Sequence, residues 1–262
     1  MINRPTLLSL SSLLAATVLL SSGGGWANAE PTEPLATSAN SAPDGVLLSA
    51  KRGELLQIIM PESREDAGDA RREYYQTVFP IAEGLGYRRL GQLGIRQKVV
   101  SDYDPGAMLF FTWPDRAAQD EFKRNPRHPA IIAARPDGWN ELKVFTAELD
   151  EDLDLQFDPA KYYTVVIAWL DADHGDDYQR YLTGIEPAVK RAGGRFIFKM
   201  NDPSLQTHAS SPEAPGQLTF VEWDNPDGFA QVQQSQEYLD SRQYFGSGVD
   251  RFEFYWLAAV AG

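Results

Sequence analysis

The 262-residue chain contains no cysteine. Disulfides, thiolate metal sites, cysteine nucleophiles and lipid attachment at a cysteine are excluded, so stability has to come from packing. Histidine is scarce. His128, His174 and His208 are the whole set, and none stands in an H-E-x-x-H spacing, so there is no local zinc signature. Basic residues are outnumbered, 24 Lys and Arg against 37 Asp and Glu, giving a formal charge of -13. Wrapping a phosphate backbone needs clustered cations, so nucleic acid is not an expected partner. The short runs Arg71-Arg72 and Arg88-Arg89 read as solvated faces of a helix and a strand. G-x-S-x-G, Walker and dinucleotide-binding glycine patterns are also missing, which removes local support for hydrolase and dinucleotide-dependent chemistry.

Long apolar runs are missing everywhere except at the N-terminus. Arg4 precedes a Ser-diluted apolar stretch from Leu7 to Leu20, and Ala27-Asn28-Ala29 has the small-x-small pattern of a signal-peptidase site. Cleavage after Ala29 is expected, leaving a periplasmic or secreted protein free of the membrane. A retained anchor needs about 20 continuous apolar residues, more than this run supplies. Residues 30–50, rich in Pro, Ala, Ser and Thr, read as a flexible leader. Asp150, Glu151, Asp152, Asp154 and Asp158 crowd together before Pro159, which reads as an acidic linker over 150–160.

What the chain does have is an internal echo between residues 51–149 and 161–262. Met108-Leu-Phe-Phe-Thr-Trp113 matches Leu218-Thr-Phe-Val-Glu-Trp223 at an offset of 110, which also pairs His128 with Tyr238, Leu142 with Phe252 and Phe145 with Tyr255. At an offset of 107, Tyr74 and Pro80 match Tyr181 and Pro187, in helices that both run to a glycine.

The second half predicts a strand from Tyr162 to Leu170, then an amphipathic helix carried by Tyr178, Tyr181, Leu182, Ile185 and Val189, ended by Gly193-Gly194. Strands follow over Arg195–Met200, with Phe196 and Phe198 on one face, and over Gly216–Asp224. A second helix carries Phe229, Val232 and Leu239 on one stripe, and Arg251–Leu257 closes the unit as a strand. The first half predicts strands 54–60, 87–99, 107–113 and 141–148, helices 71–84 and 115–124, and an insertion at Arg135-Pro136-Asp137-Gly138. β-α-β-β-α-β is the ferredoxin-like order. Such a unit leaves one sheet face bare, and strands apolar on both sides require that face to be buried. The expected fold is therefore α+β: two tandem ferredoxin-like units packed as an α+β barrel within one chain, a monomeric pseudo-dimer.

Tyr181, Gly193-Gly194-Arg195, Phe220-Val221-Glu222-Trp223, Glu237-Tyr238 and Arg242 together give residues 160–258 a distinctive pattern. On these residues the second half resembles an uncharacterised family of small dimeric α+β-barrel domains, structurally akin to the antibiotic-biosynthesis monooxygenases. The resemblance implies a ferredoxin-like unit that pairs with a second copy, here the other half of the chain, and supplies no reaction. The first half departs from the pattern, with Gly86-Tyr87-Arg88 for Gly-Gly-Arg and Pro126-Arg127-His128 for Gln236-Glu237-Tyr238.

Candidate chemistry centres on the closing strands. Lys143 and Glu253 are paired at the 110 offset and alternate with large apolar neighbours, beside Phe145 and Tyr255. If that face points inward, it forms a polar spot in an aromatic cavity, where a desolvated Glu253 could act as a base. The plainer reading is a solvated rim. Glu222, Tyr238, Arg195 and Arg242 are second candidates, Tyr238 as a catalytic residue and the others for ligand binding, weighed against a buried network or surface salt bridges. Related barrel folds can hold haem through one histidine, and His128 is the residue that could do so here; otherwise no cofactor or metal is expected. His174 and His208 read as solvated loop residues. Asp171 to Asp177 fails the calcium-loop spacing and reads as helix-capping carboxylates. The functional expectation is an apolar or aromatic small-molecule binder, with a cofactor-independent oxygenase or isomerase and a non-catalytic protein-interaction module as alternatives.

Overall fold

The computed structural model describes residues 41–42, 45–208 and 210–259; the expected signal segment lies outside them. In chain order the elements are β1 (Ser41–Ala42), β2 (Gly45–Ala50), β3 (Leu55–Ser63), α1 (Gly68–Glu83), β4 (Arg88–Val100), β5 (Ala107–Trp113), α2 (Arg116–Arg124), α3 (His128–Ala133), α4 (Arg135–Gly138) and β6 (Trp139–Glu148). Then come β7 (Leu153–Phe157), β8 (Tyr162–Leu170), α5 (Asp176–Arg191), β9 (Gly194–Asn201), β10 (Ser204–Gln206), β11 (Gln217–Trp223), α6 (Gly228–Gln233), α7 (Gln236–Gly248) and β12 (Val249–Ala259). Among the described residues no helix is long and apolar enough to cross a membrane.

The main sheet runs β10-β6-β3-β5-β4-β12-β8-β11-β9, all neighbours antiparallel. Its two quartets, β6-β3-β5-β4 and β12-β8-β11-β9, have the same internal order, fourth strand, first, third, second. That is the ferredoxin-like unit twice over. Two seams join the quartets. The far half of β4 pairs with β12 from Leu93↔Ala259 to Val100↔Phe254, and β10, the continuation of β9, pairs with β6 over Ser204↔Thr146 to Gln206↔Val144. Asp202, held at φ 42, turns the strand from one partner toward the other. With both seams made, the sheet closes on itself as an α+β barrel.

Strand alternation sorts side chains into two sets. Leu56, Ile58, Met108, Phe110, Phe145, Val165, Ile167, Leu218, Phe220 and Tyr255 fill the barrel as one buried cluster. The other face carries the helices: Tyr178, Tyr181, Leu182, Ile185 and Val189 of α5 pack with Val221 and Trp223, and α1 and α2 pack on Phe111 and Trp113. Each fully buried Leu or Phe contributes about 1.5–3 kcal/mol, so this double-sided burial dominates the stability. β8, buried on both faces as its mostly apolar run, broken only by Thr164, requires, lies at the centre of the second quartet.

Four details differ from the sequence reading. Residues 45–50 form β2 and pair with β7, formed by 153–157, where composition suggested a leader and a linker. Their Leu48, Ala50, Leu153 and Phe157 are buried in the barrel core, so sparse apolar residues sufficed to fix both segments. The helix expected over Phe229–Leu239 is two helices, because Ser235 interrupts it and caps α7 by accepting the Tyr238 N–H at 3.2 Å. Leu239 consequently turns outward and is 44% exposed. Phe196 and Phe198 lie on opposite faces, because a register shift in the β9–β11 ladder places Ile197 as an extra residue between them.

Candidate functional site

β6 and β12 are the fourth strands of their quartets, and the alternation that turns Phe145 and Tyr255 inward turns Lys143 and Glu253 inward with them. The two residues meet. Lys143 Nζ donates to Glu253 Oε1 at 2.5 Å, with the two side chains only 13% and 8% exposed. Tyr255 Oη sits 3.0 Å from Glu253 Oε2 and 2.7 Å from Ser101 Oγ. Lys143 Nζ also lies 4.2 Å from the centre of the Tyr103 ring, a cation–π contact.

Tyr103 comes from the loop joining β4 to β5. Its hydroxyl donates to the Met60 carbonyl and pins this loop over the barrel mouth. The loop is further tied where the Gly106 N–H donates to the Pro61 carbonyl at 3.2 Å and Lys98 pairs with Asp104 at 3.3 Å. Burial pushes the Tyr103 and Tyr255 phenols well above their ordinary range, with the Glu253 carboxylate adding to the effect at both. Both phenols are therefore held as neutral donors. The resulting centre is an ion pair flanked by two phenols and a serine hydroxyl, walled by Phe145 and closed by one loop.

The other candidates lie elsewhere. Glu222 is near the opposite end of the barrel, where Arg195 Nε donates to its Oε1 at 2.8 Å and Tyr163 Oη donates to its Oε2 at 3.1 Å. Arg195 is held above its ordinary pKa, chiefly by that hydrogen bond, but its side chain is 65% exposed. Tyr238 is in the helix layer, its ring 6.4 Å from that of Tyr181, across the sheet from Glu253; Arg242, on the same helix, is exposed. His128 also lies in the outer layer, edge-on to Phe122 with ring centroids 5.3 Å apart. The barrel side is filled by Tyr103, Phe110, Phe145 and Phe220. These residues do not fit a haem on His128.

His208 is not a free loop side chain, since its Nε2 lies 2.6 Å from the Asn140 carbonyl oxygen on β6. Asp171 does not cap α5; its carboxylate accepts the backbone N–H groups of Asp173 and His174 in the turn before it. Among the described residues no group of three or more His, Asp or Glu is arranged to hold a metal ion. Ser101 and Tyr103 were missed by sequence reasoning. The one available signal was an aromatic residue inside the turn-forming stretch Ser-Asp-Tyr-Asp-Pro-Gly.

No family model matches the sequence, and no curated protein matches it. The chain folds as a dimeric α+β barrel made within one polypeptide. Similar solved structures include an anthrone oxidase-like protein, with 10% identity over 81% of this chain and 94% of that one and a TM-score of 0.49. A mutant chlorite dismutase from Candidatus Nitrospira defluvii has 12% identity over 81% and 93%, with a TM-score of 0.41. A dimeric protein of unknown function and ferredoxin-like fold from Bacteroides fragilis has 11% identity over 38% and 96%, with a TM-score of 0.27. The roles of individual residues rest on the geometry of this chain alone.

Proposed function

We propose that this is an exported protein that binds an apolar or aromatic small molecule bearing one acceptor group at the barrel mouth, beside the Lys143–Glu253 pair and the Ser101–Gly106 loop. The observation that carries this reading is the buried ion pair itself. A well-packed apolar pair of similar volume is often at least as stabilising as a buried ion pair, so charge in this position points to a use other than stability. Lys143 donates to one protein oxygen, Glu253 Oε1, and turns toward the Tyr103 ring, leaving donor capacity for a ligand oxygen. The surrounding aromatic wall suits a flat apolar body.

The test is thermal-shift titration of the purified full chain with 1-naphthol, alongside Lys143→Met/Glu253→Leu, which removes both charges together. A saturable rise in melting temperature in the parent and none in the double variant is the expected outcome. Equal shifts in both would refute the reading.

A second reading has Glu253 acting as a general base, the first step of a cofactor-independent oxygenase or isomerase. The contact of Tyr255 with Glu253 favours it, since a neutral phenol beside the carboxylate can stabilise the charge left on a deprotonated ligand. On this reading Glu253→Gln retains ligand binding and loses deuterium exchange at the ligand's acidic C–H, followed by NMR.

A further inference from the structure

Outside the barrel, a cleft of about 350 Å³ separates α1 from the α3–α4 segment, with Glu73 and Tyr74 on one wall and Arg127, Ala130 and Asp137 on the other. Outside the lining, joined to it through the Tyr74 hydroxyl, lies Arg135, only 8% exposed. Of its five N–H donors one is used among the described residues, from Nε to the Tyr74 hydroxyl at 3.1 Å. Its Nη1 is buried with no hydrogen-bond partner among the described residues, and no carboxylate there pairs with it. Trp139, edge-on to Tyr74 with centroids 4.9 Å apart, also has a buried indole N–H without a partner. Two orphaned donors thus border the one tyrosine that lines the cleft. Native proteins leave few such groups, and a buried guanidinium without a counter-anion is among the least favourable. Its field reaches its neighbours: burial first, then the charges of Arg135 and Lys123, hold His128 below its ordinary pKa.

We propose that this cleft binds a small organic monocarboxylate, gripped by the Arg135 guanidinium and the Tyr74 hydroxyl. The planar fork of arginine matches a carboxylate with two parallel hydrogen bonds. Ala70, Ala130 and Ile131 offer an apolar surface for the ligand's body, and the volume is at the small end of ligand sites, sized for a single ring or short chain. Glu73 and Asp137 outweigh the single cation Arg127 on the walls, and the net negative lining disfavours dianions such as phosphate or a dicarboxylate more than a monoanion. The site shares no residue with the Lys143–Glu253 centre and stands or falls separately from it.

The test is calorimetric titration of the full chain with benzoate, repeated with acetate through hexanoate, with sulfate at matched ionic strength as the anion control. Saturable benzoate binding, not competed by sulfate, is expected in the parent and in Lys143→Met/Glu253→Leu. Arg135→Met should fold with an unchanged or higher melting temperature and bind about 10- to 100-fold more weakly, as expected for losing a hydrogen bond to a charged group. Arg135→Lys keeps the charge but loses the fork, and should also lose affinity; it decides the matter if Arg135→Met does not fold. Absence of saturable binding by every monocarboxylate, full affinity in the arginine variants, or equal competition by sulfate would overturn the proposal.

Discussion

Lys143 and Glu253 hold each other in place, and the cost of separating them should be lopsided. Lys143→Met leaves a carboxylate in the barrel with, among the described residues, only the Tyr255 hydroxyl to satisfy it. Removing one member of a buried pair costs about 3–5 kcal/mol, whereas replacing both by apolar groups is often neutral. Urea unfolding should therefore show Lys143→Met strongly destabilised and Lys143→Met/Glu253→Leu close to the parent; equal losses in both would mean that the pair is already well solvated. The meeting of these residues was legible because strand alternation fixes direction, and both alternate with aromatics 110 positions apart. Tyr103 was not legible, since its burial depends on a loop folding back onto the Met60 carbonyl, a contact 43 residues distant. His128 and Tyr238 align at the same offset as Lys143 and Glu253, but helix layers put them on the far side of the sheet.

At the level of elements, the Gly193-Gly194-Arg195 stretch that marks the second half is a packing device. Gly193 takes φ 74 at the exit of α5, and a Cβ on Gly194 would come within 2.6 Å of the Trp223 ring and 2.8 Å of Val189. Gly194→Ala should therefore destabilise by about 1–3 kcal/mol, as overpacking does, measured as a fall in the urea midpoint at constant slope. In the first half the equivalent place is held by Tyr87, which lies on Trp113 with centroids 4.4 Å apart, so tyrosine against tryptophan replaces glycine beneath tryptophan. Strand and helix order was readable from periodicity, whereas the split between α6 and α7 and the extra residue at Ile197 were not. Both are single-residue events, a serine cap and a slipped rung, that leave the average period unchanged.

The whole molecule buries phenols in both helix layers and in the barrel. Burial lifts Tyr87 and Tyr181 well above their ordinary pKa, and Tyr178 to about 12. Each keeps its proton in the folded chain and loses it near pH 10 once unfolded, so the folded state binds more protons above that point. Stability should hold up to about pH 10 and then fall, by at most about 1.4 kcal/mol per pH unit for each such tyrosine. Circular dichroism should lose its native signal together with a cooperative rise in phenolate absorbance at 295 nm; tyrosines ionising one by one before unfolding would contradict this. At this scale the barrel was inferable from the need to cover two bare sheet faces, but the strands that stitch it shut were not. β10 is three residues long and carries no periodic signature.

That brevity is not shared by the other closure. Six residue pairs join β4 to β12, but only three join β10 to β6, and the last of these, at Val144, adjoins Lys143. Spontaneous unzipping begins where the fewest rungs must part. The lighter hem of the sheet is thus the one beside the ionic centre, and water slipping in as it breathes would reach Phe145 on the middle rung and then, just past the last rung, the ammonium group of Lys143.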